Sequence, residues 1–438
     1  TIGMAVDANV LIYERIREEL RQGKGLKLAI EDGYKNAYSS IIDANVTTFL
    51  TGVILYAFGT GPIRGFATTL IIGILTSLFS AIFITRLVFQ ARLDRKRTVS
   101  FSTRLTENAF TKFSINFLQK RRVAYITSGL ILLTGVISLS TRGLNYGVDF
   151  LGGRSYQVRF DREVNPADIQ KRLGDFFVNE DGTKLYPEVK TIGEQSQVVI
   201  TTKYRISETG TEVEEDIKSN LFDGLQSFFD NPPGREDFYS EGAGAEDIGI
   251  VAERQVGPTI ADDIRTSAIW SILFSLVVIF LYILIRFSRW QYSLGAVAAA
   301  FHDVLIVLSL FSLLYGFLPF SLEIDQAFIA AVLTVIGYSL NDTVVVFDRI
   351  REYFNTHSKR KPMTEIVNEA LNSTLSRTVN TSLTTFFVLL IIFIFGGEVI
   401  RGFMFALLIG VVVGTYSSLF IATPVMIDSL KKSERDSA

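Results

Sequence analysis

The 438-residue chain has no cysteine and only two histidines, His302 and His357. Disulfide stapling is excluded, and a zinc site built from Cys and His has no ligand set to draw on. The missing cysteines leave the redox compartment undetermined. No Ser/His/Asp or Cys/His arrangement stands out, and no GxxxxGK[ST] or GxGxxG motif accompanies the pair Gly152–Gly153, which with Gly147 and Asp149 resembles a phosphate-cradling loop only superficially. The expectation is a non-enzyme with no cofactor, no metal and no nucleic-acid partner. An initiator methionine and a signal-like basic segment are also missing. About a dozen residues precede the charged segment 14–21, whereas a full crossing needs roughly 20. The sequence therefore reads as the C-terminal part of something longer, starting inside a helix.

Apolar length is what the chain has in abundance. Hydrophobic residues make up 48%, Phe alone numbers 35, and mean hydropathy is +0.32; no ordinary soluble domain has this composition. Runs near membrane-spanning length lie at about 63–90, 123–139, 267–285, 291–315, 324–347, 383–395 and 399–427, and the run at 383–395 reaches that length only with its Ser/Thr-rich approach. A shorter, Thr-containing candidate lies at 44–58. Eight spans and a partial first one are expected. Lys and Arg mark the cytoplasmic side of short loops. Residues 91–122 carry nine of them against two acids and residues 349–377 carry six, whereas the turns 59–62, 316–323 and 396–398 carry none. The basic sides are expected inside, and the run Arg92 to Arg97 is read first as a topology anchor and linker, second as a contact for anionic lipid.

Between those spans, residues 142–263 form one polar insertion with 24 acids against 13 Lys/Arg, expected outside. Its pattern reads strand 155–160, helix 166–177, strand 187–192, strand 197–204, helix 211–229, strand 248–256. The order βαββαβ predicts a ferredoxin-like α+β sandwich, with residues 230–244, which include Pro232-Pro233-Gly234, as an exposed loop.

The chain is internally duplicated. Residues 2–18 (IGMAVDANVLIYERIRE) reappear as 336–352 (IGYSLNDTVVVFDRIRE) with seven identities at an offset of 334, while 46–49 answers 383–386 and 63–66 answers 400–403 at an offset of 337. Two parallel membrane repeats, related by an axis along the membrane normal, are expected. Each copy carries an acid in its apolar helical run, Asp7 and Asp342, about 10 Å inside the charged helix ends at 1.5 Å per residue. Ionisable groups at such depth are costly and usually functional. The alternative is a polar packing residue among small neighbours such as Ala8, Asn9 and Ser339. Asp7 aligns with Asn341 rather than with Asp342, so the two acids sit one position, about 100°, apart. Arg377, which precedes the second Ser/Thr run, is a candidate charge partner for Asp342, although an Arg at a cytoplasmic helix end is also what positive-inside bias predicts. His302 and Asp303 interrupt the run 291–315 as a possible relay or gate; adjacent residues point about 100° apart and do not easily face one site. Gly147, Gly152 and Gly153 cluster where the membrane helix enters the insertion and read as a hinge.

Several stretches resemble the SecD/SecF protein-export family. The segment 3–20 (GMAVDANVLIYERIREEL) is similar to the fourth membrane helix of SecD. Segments 145–160 (NYGVDFLGGRSYQVRF), 256–265 (VGPTIADDIR), 301–310 (FHDVLIVLSL), 340–352 (LNDTVVVFDRIRE) and 376–385 (SRTVNTSLTT) are similar to SecF. Both halves on one chain resemble the fused SecDF form lacking most of its N-terminal SecD part. The resemblance implies a polytopic helical bundle of the resistance-nodulation-division (RND) type with a ferredoxin-like extracytoplasmic domain. It further implies an accessory Sec-translocase subunit in the bacterial inner membrane, driven by the proton motive force. Implied partners are the SecYEG translocon, preproteins, lipid and the family companions YajC and YidC. The matching motifs place Asp7, Asp342 and Arg377 in a proton relay and Gly152–Gly153 in the family's glycine signature. The implied organisation is 1–90 SecD-like with a truncated first helix, 91–122 basic cytoplasmic linker, 123–141 first SecF-like helix, 142–263 periplasmic domain, 264–428 remaining SecF-like helices and 429–438 cytoplasmic tail. An RND-type small-molecule exporter and a non-transporting translocon scaffold are the alternatives.

Overall fold

The computed structural model describes residues 2–59, 61–97, 99–101, 114–179, 182–192, 194–206, 208, 210–239, 248–318, 320–357 and 361–430. Much of the 91–122 linker and nearly all of the 429–438 tail lie outside the described residues. The chain opens with α1 (Ile2–Arg21), α2 (Leu26–Phe58) and α3 (Gly61–Phe79), which passes through a π turn (Ser80–Ile84) into α4 (Thr85–Asp94). Helix α5 (Phe117–Thr141) leads to a smaller domain of α6 (Val148–Leu151), β1 (Gly153–Arg159), α7 (Pro166–Leu173), β2 (Glu188–Ile192), β3 (Glu194–Thr202), α8 (Thr211–Leu225), α9 (Arg235–Tyr239) and β4 (Gly249–Val256). Then come α10 (Pro258–Phe287), α11 (Trp290–Leu314), α12 (Gln326–His357), α13 (Met363–Phe395) and α14 (Glu398–Ser417), the last continuing through a π turn (Ser418–Ala422) into α15 (Thr423–Asp428). Among the described residues, eight helical segments are long and apolar enough to cross a membrane.

Two of these begin far earlier than hydropathy predicts. The run expected at 44–58 belongs to a helix that starts at Leu26, and the run at 383–395 belongs to one that starts at Met363. Their polar halves are buried: Ser40, Asn45, Thr47, Thr48 and Thr51 on α2, and Thr374, Thr378 and Thr381 on α13. Many of these hydroxyls donate to a carbonyl one turn back, as Thr47 to Ala44 O (2.7 Å), Thr51 to Thr47 O (3.0 Å) and Thr381 to Thr378 O (3.1 Å). A hydroxyl satisfied on its own helix costs little to bury between helices, so the segment stays helical where a hydropathy window sees only polarity.

The duplication is visible in the packing. The first helix of each copy lies against the second helix of the other, α1 on α13 and α12 on α2. Gly3 and Gly337, equivalent at the 334 offset, are the contact points: a Cβ at Gly3 would lie 2.5 Å from Thr385 Oγ1, and one at Gly337 3.1 Å from Thr51 Oγ1. The π turns also fall at corresponding places.

The smaller domain has sheet order β2-β3-β1-β4 with every neighbouring pair antiparallel, the ferredoxin-like topology. Tyr156 and Val158 of β1 and Val198 and Ile200 of β3 face Ile169 and Leu173 of α7 and Ile217 and Leu221 of α8 in one core. The loop expected to be exposed at 230–244 is partly folded. Helix α9 drives Phe238, fully buried, against Phe222 and Phe229. The turn residues before it were legible; the aromatic anchor after them overrides their polarity. Residues 240–247 lie outside the described set. This domain sits at what we term the sheet end of the bundle, and the charged segment 14–21 at the basic end.

Helices α12 and α14 approach too closely for a side chain at Gly410, where a Cβ would fall 2.0 Å from Val335 Cγ2. Gly410→Val should therefore destabilise the protein by about 1–3 kcal/mol, read as a lowered melting temperature in detergent. Gly129→Ala, with nothing within 4 Å, should be neutral or mildly stabilising.

Candidate functional site

Three helices converge near the bundle centre. Asp7 on α1 is 8% exposed, Arg377 on α13 2% and Asp342 on α12 1%. Arg377 Nη2 donates to Asp7 Oδ1 at 2.9 Å and Asn341 Nδ2 donates to Asp7 Oδ2 at 2.6 Å. Asp7 is thus held by both helices of the other copy, and Asn341 is its own aligned counterpart. The expectation that Arg377 pairs with Asp342 is not what the structure has. Among the described residues Asp342 receives only a long hydrogen bond from Ser382 Oγ (3.5 Å), itself held by Thr415 Oγ1 (2.6 Å). The one-position stagger explains this: Asn341 faces α1, and the next residue, about 100° further round the helix, faces the Ser382 side of α13 and α14. Arg377 engages through one nitrogen, and its Nε and Nη1 are buried without a partner among the described residues. A buried charge pair that leaves donors unused gains less than its desolvation costs unless something else turns to it.

A second polar network adjoins the first. His302 and Asp303 touch each other, Nδ1 lying 2.9 Å from Asp303 Oδ1, while their other atoms turn to different helices, as neighbours about 100° apart should. His302 Nε2 is 3.0 Å from Ser128 Oγ, while Asp303 Oδ2 accepts from Ser339 Oγ (2.6 Å) and Ser417 Oγ (2.7 Å). Ser339 lies one turn before Asp342 on α12, and Ser417 lies beside the second π turn, a backbone form frequent at functional sites. Ser128, Ser382, Thr415 and Ser417 escape sequence reading because lone Ser and Thr are common in membrane helices; Ser339 is legible only as a small packing neighbour, and Asn341 by its alignment with Asp7.

At the basic end the two copies exchange ion pairs reciprocally. Arg15 Nη2 reaches Glu352 (2.7 Å) and Arg349 Nη2 reaches Glu18 (2.5 Å), while Arg15–Glu18 and Arg349–Glu352 each close at 3.0 Å. Arg15 and Arg349, like Glu18 and Glu352, are equivalent at the 334 offset, so the four form a square about the pseudo-twofold axis. Beside it, Arg286 pairs with Asp43 and lies 3.5 Å from Asp348.

The description "Protein export membrane protein SecD/SecF, C-terminal" fits residues 1–93 and 239–432, and "SecD/SecF GG Motif" fits residues 137–164. The chain belongs to the SecD/SecF family. Protein translocase subunit SecF of Rhodothermus marinus is 48% identical over 326 residues, 74% of this chain and 95% of that protein. Protein translocase subunit SecDF of Brucella abortus is 35% identical over 441 residues, 100% of this chain and 53% of that one. A crystal structure of SecDF, a translocon-associated membrane protein, from Thermus thermophilus matches with a TM-score of 0.80 at 31% identity, covering 97% of this chain and 53% of that chain. The chain spans about half the length of the SecDF relatives it matches.

The family's glycine motif sits at the junction between bundle and sheet domain. Gly152 (φ 69°) and Gly153 (φ 126°) occupy conformations that favour glycine, and a Cβ at Gly153 would lie 2.7 Å from Thr202 O. Gly147 differs from the other expected hinge glycines. Its φ of −77° suits any residue, and its N–H is fastened to Ile324 O at 3.0 Å, with Ile324 N donating to Asn145 O at 2.7 Å. Nearby, buried Asp149 accepts from Gln326 N (3.0 Å), and Asp325 Oδ1 accepts from Phe328 N (2.7 Å), capping α12. Desolvation pushes the Asp325 carboxyl up from 3.8 to about 6; the Phe328 N–H opposes the rise and neighbouring Asp149 adds to it.

Two outcomes are expected. Asp7→Ala leaves Arg377 buried and unpaired and should destabilise the protein by about 3–5 kcal/mol, with Arg377→Leu in the same background restoring a large part; unfolding in detergent measures both. At the junction, the folded state binds the Asp325 proton more tightly than the unfolded chain, so this group's stabilisation is full below about pH 4 and is lost as pH rises through about 6. Hydrogen-exchange protection at the start of α12, corrected for the intrinsic rise of exchange with pH, should fall over that window in the wild type and stay flat in Asp325→Asn.

Proposed function

We propose that this chain is the proton-responsive portion of a Sec-translocase accessory subunit in the bacterial inner membrane. In this reading it uses the proton motive force to promote movement and release of preproteins brought through the SecYEG translocon. The basic linker and the tail lie in the cytoplasm, and the sheet domain, residues 142–263, lies in the periplasm. YajC and YidC are further partners suggested by the resemblance alone. The observation that carries the proposal is the Asp7–Arg377 pair joining the two copies, with Asp342 poorly satisfied on the next helix.

Protonating Asp7 removes the charge that holds Arg377, and the guanidinium must then find another acid or the copies must repack. Moving one charge through 100 mV supplies about 2.3 kcal/mol, enough to bias a two-state equilibrium more than tenfold. The motion reaches the sheet domain through the Gly152–Gly153 connection, where α6 and the start of α10 pack together. A scaffold would tolerate loss of these acids. An RND-type exporter would use them but would not show preprotein dependence.

In vesicles carrying the intact protein and the translocon, Asp7→Asn and Asp342→Asn should each abolish the stimulation of preprotein release by an imposed proton gradient while leaving protein levels unchanged. Wild-type stimulation in either variant would sink the relay.

A further inference from the structure

Glu14 lies seven residues beyond Asp7 on α1, about 10 Å further toward the basic end and, after two turns, on the same face. Glu14 and three members of the ion-pair square, Arg15, Glu18 and Arg349, line a cavity with space for about one water molecule, to which Ser40, Thr374 and Arg377 also contribute. Glu14 is half-buried and lines this cavity. It makes no hydrogen bond or ion pair among the described residues.

Its counterpart in the other copy is Asp348, at the 334 offset, and Asp348 is fully engaged: Ser40 Oγ donates at 2.5 Å, Arg351 Nη2 at 2.6 Å, and Arg286 Nη2 lies 3.5 Å away. Ser40 is in turn the counterpart of Arg377, at the 337 offset. The duplicated geometry that brings Ser40 onto Asp348 therefore aims Arg377 at Glu14. Arg377 has buried, unpartnered Nε and Nη1 groups, and its charge acts on Glu14 across the cavity. An acid without a partner and a guanidinium with spare donors face one small polar space. The other charges bearing on Glu14 are Arg17 and Glu18 from its own helix and Arg349 from α12; α2 contributes the uncharged Ser40.

We propose that Glu14 is a second station for Arg377 and the proton-release group on the basic side, an inference that rests on the relay reading above. With Asp7 ionised, Arg377 pairs with it and Glu14 holds a proton. When Asp7 gains a proton from water on the sheet side, an O–H bond forms there and Arg377 is released. It turns to Glu14, whose O–H bond breaks and whose proton passes to water at the basic end. The cycle closes when the Asp7 O–H bond breaks and its proton passes by way of water in the cavity to Glu14, where an O–H bond forms again as Arg377 returns to Asp7; the guanidinium keeps its charge throughout, and one proton crosses per complete cycle. The Arg15–Glu18–Arg349–Glu352 square flanks the release route, so its opening gates that step.

The test uses proteoliposomes of the intact protein with a pH-sensitive dye inside and an imposed proton gradient. Glu14→Gln should lower proton flux at least tenfold, and Glu14→Asp should keep it within about threefold of wild type. If Glu14→Gln conducts like wild type while Asp7→Asn does not, the second station is wrong and the Asp7 relay stands. If Asp7→Asn also conducts like wild type, both fall. Infrared difference spectroscopy covers the case in which Glu14→Gln does not fold. A protonated-carboxyl band that moves in Glu14→Asp should vanish in Asp7→Asn, where Arg377 is free to hold Glu14 ionised. A Glu14 band indifferent to Asp7→Asn would overturn the proposal.

Discussion

One buried guanidinium organises this bundle. Arg377 sits where solvent cannot stabilise its charge, so some acid must, and the acid comes from the other copy. A charge pair that bridges two structural units in low dielectric makes the packing of those units conditional on the ionisation of one carboxyl. Much of the surrounding sequence serves that condition. The glycines bring α1 and α12 close to the Ser/Thr faces of α13 and α2, the hydroxyls satisfy themselves on their own helices, and Asn341 fixes the second oxygen of Asp7.

The symmetry of the fold makes its departures informative. At the basic end the repeats agree so closely that their arginines and glutamates exchange partners reciprocally. Toward the centre they diverge: Asp7 answers Asn341, Arg377 answers Ser40, and Glu14 answers an Asp348 that has three polar partners where Glu14 has none among the described residues. A symmetric centre would hold its charges in duplicate and balance them locally. The asymmetric one gathers its acids around a single arginine, and the proposed shift of that arginine between two states rests on this arrangement.

The sequence made much of this legible, because the physical signals are long or repeated. The spans follow from apolar length, the sheet topology from alternation and helical spacing, and the duplicated acids from an ungapped alignment of 17 residues. What stayed hidden depends on tertiary direction. No window could tell that residues 26–43 continue a membrane helix, because their polar side chains are satisfied by neighbours not yet in place. Arg377 was found, yet its partner was misassigned, since the choice between Asp7 and Asp342 rests on which way one helix face turns. His302 and Asp303 point about 100° apart along the backbone, and that direction does not reveal that their side chains lie 2.9 Å from each other. Phe238 was lost in a loop read from its prolines.

The paired π turns carry a historical consequence. Each is a single extra residue in a helix, a costly irregularity not readily acquired twice, and the two begin at Ser80 and Ser418, at nearly the offset that relates the rest of the copies. The irregularity was therefore inherited from the common ancestor of both halves. In one descendant, Ser417 beside the turn donates to Asp303; in the other, the same bend has Thr85 Oγ1 bonded to Ser80 O and lying 3.2 Å from Asn9 Oδ1. The same bend thus borders a buried acid in one half and a polar contact to Asn9 in the other.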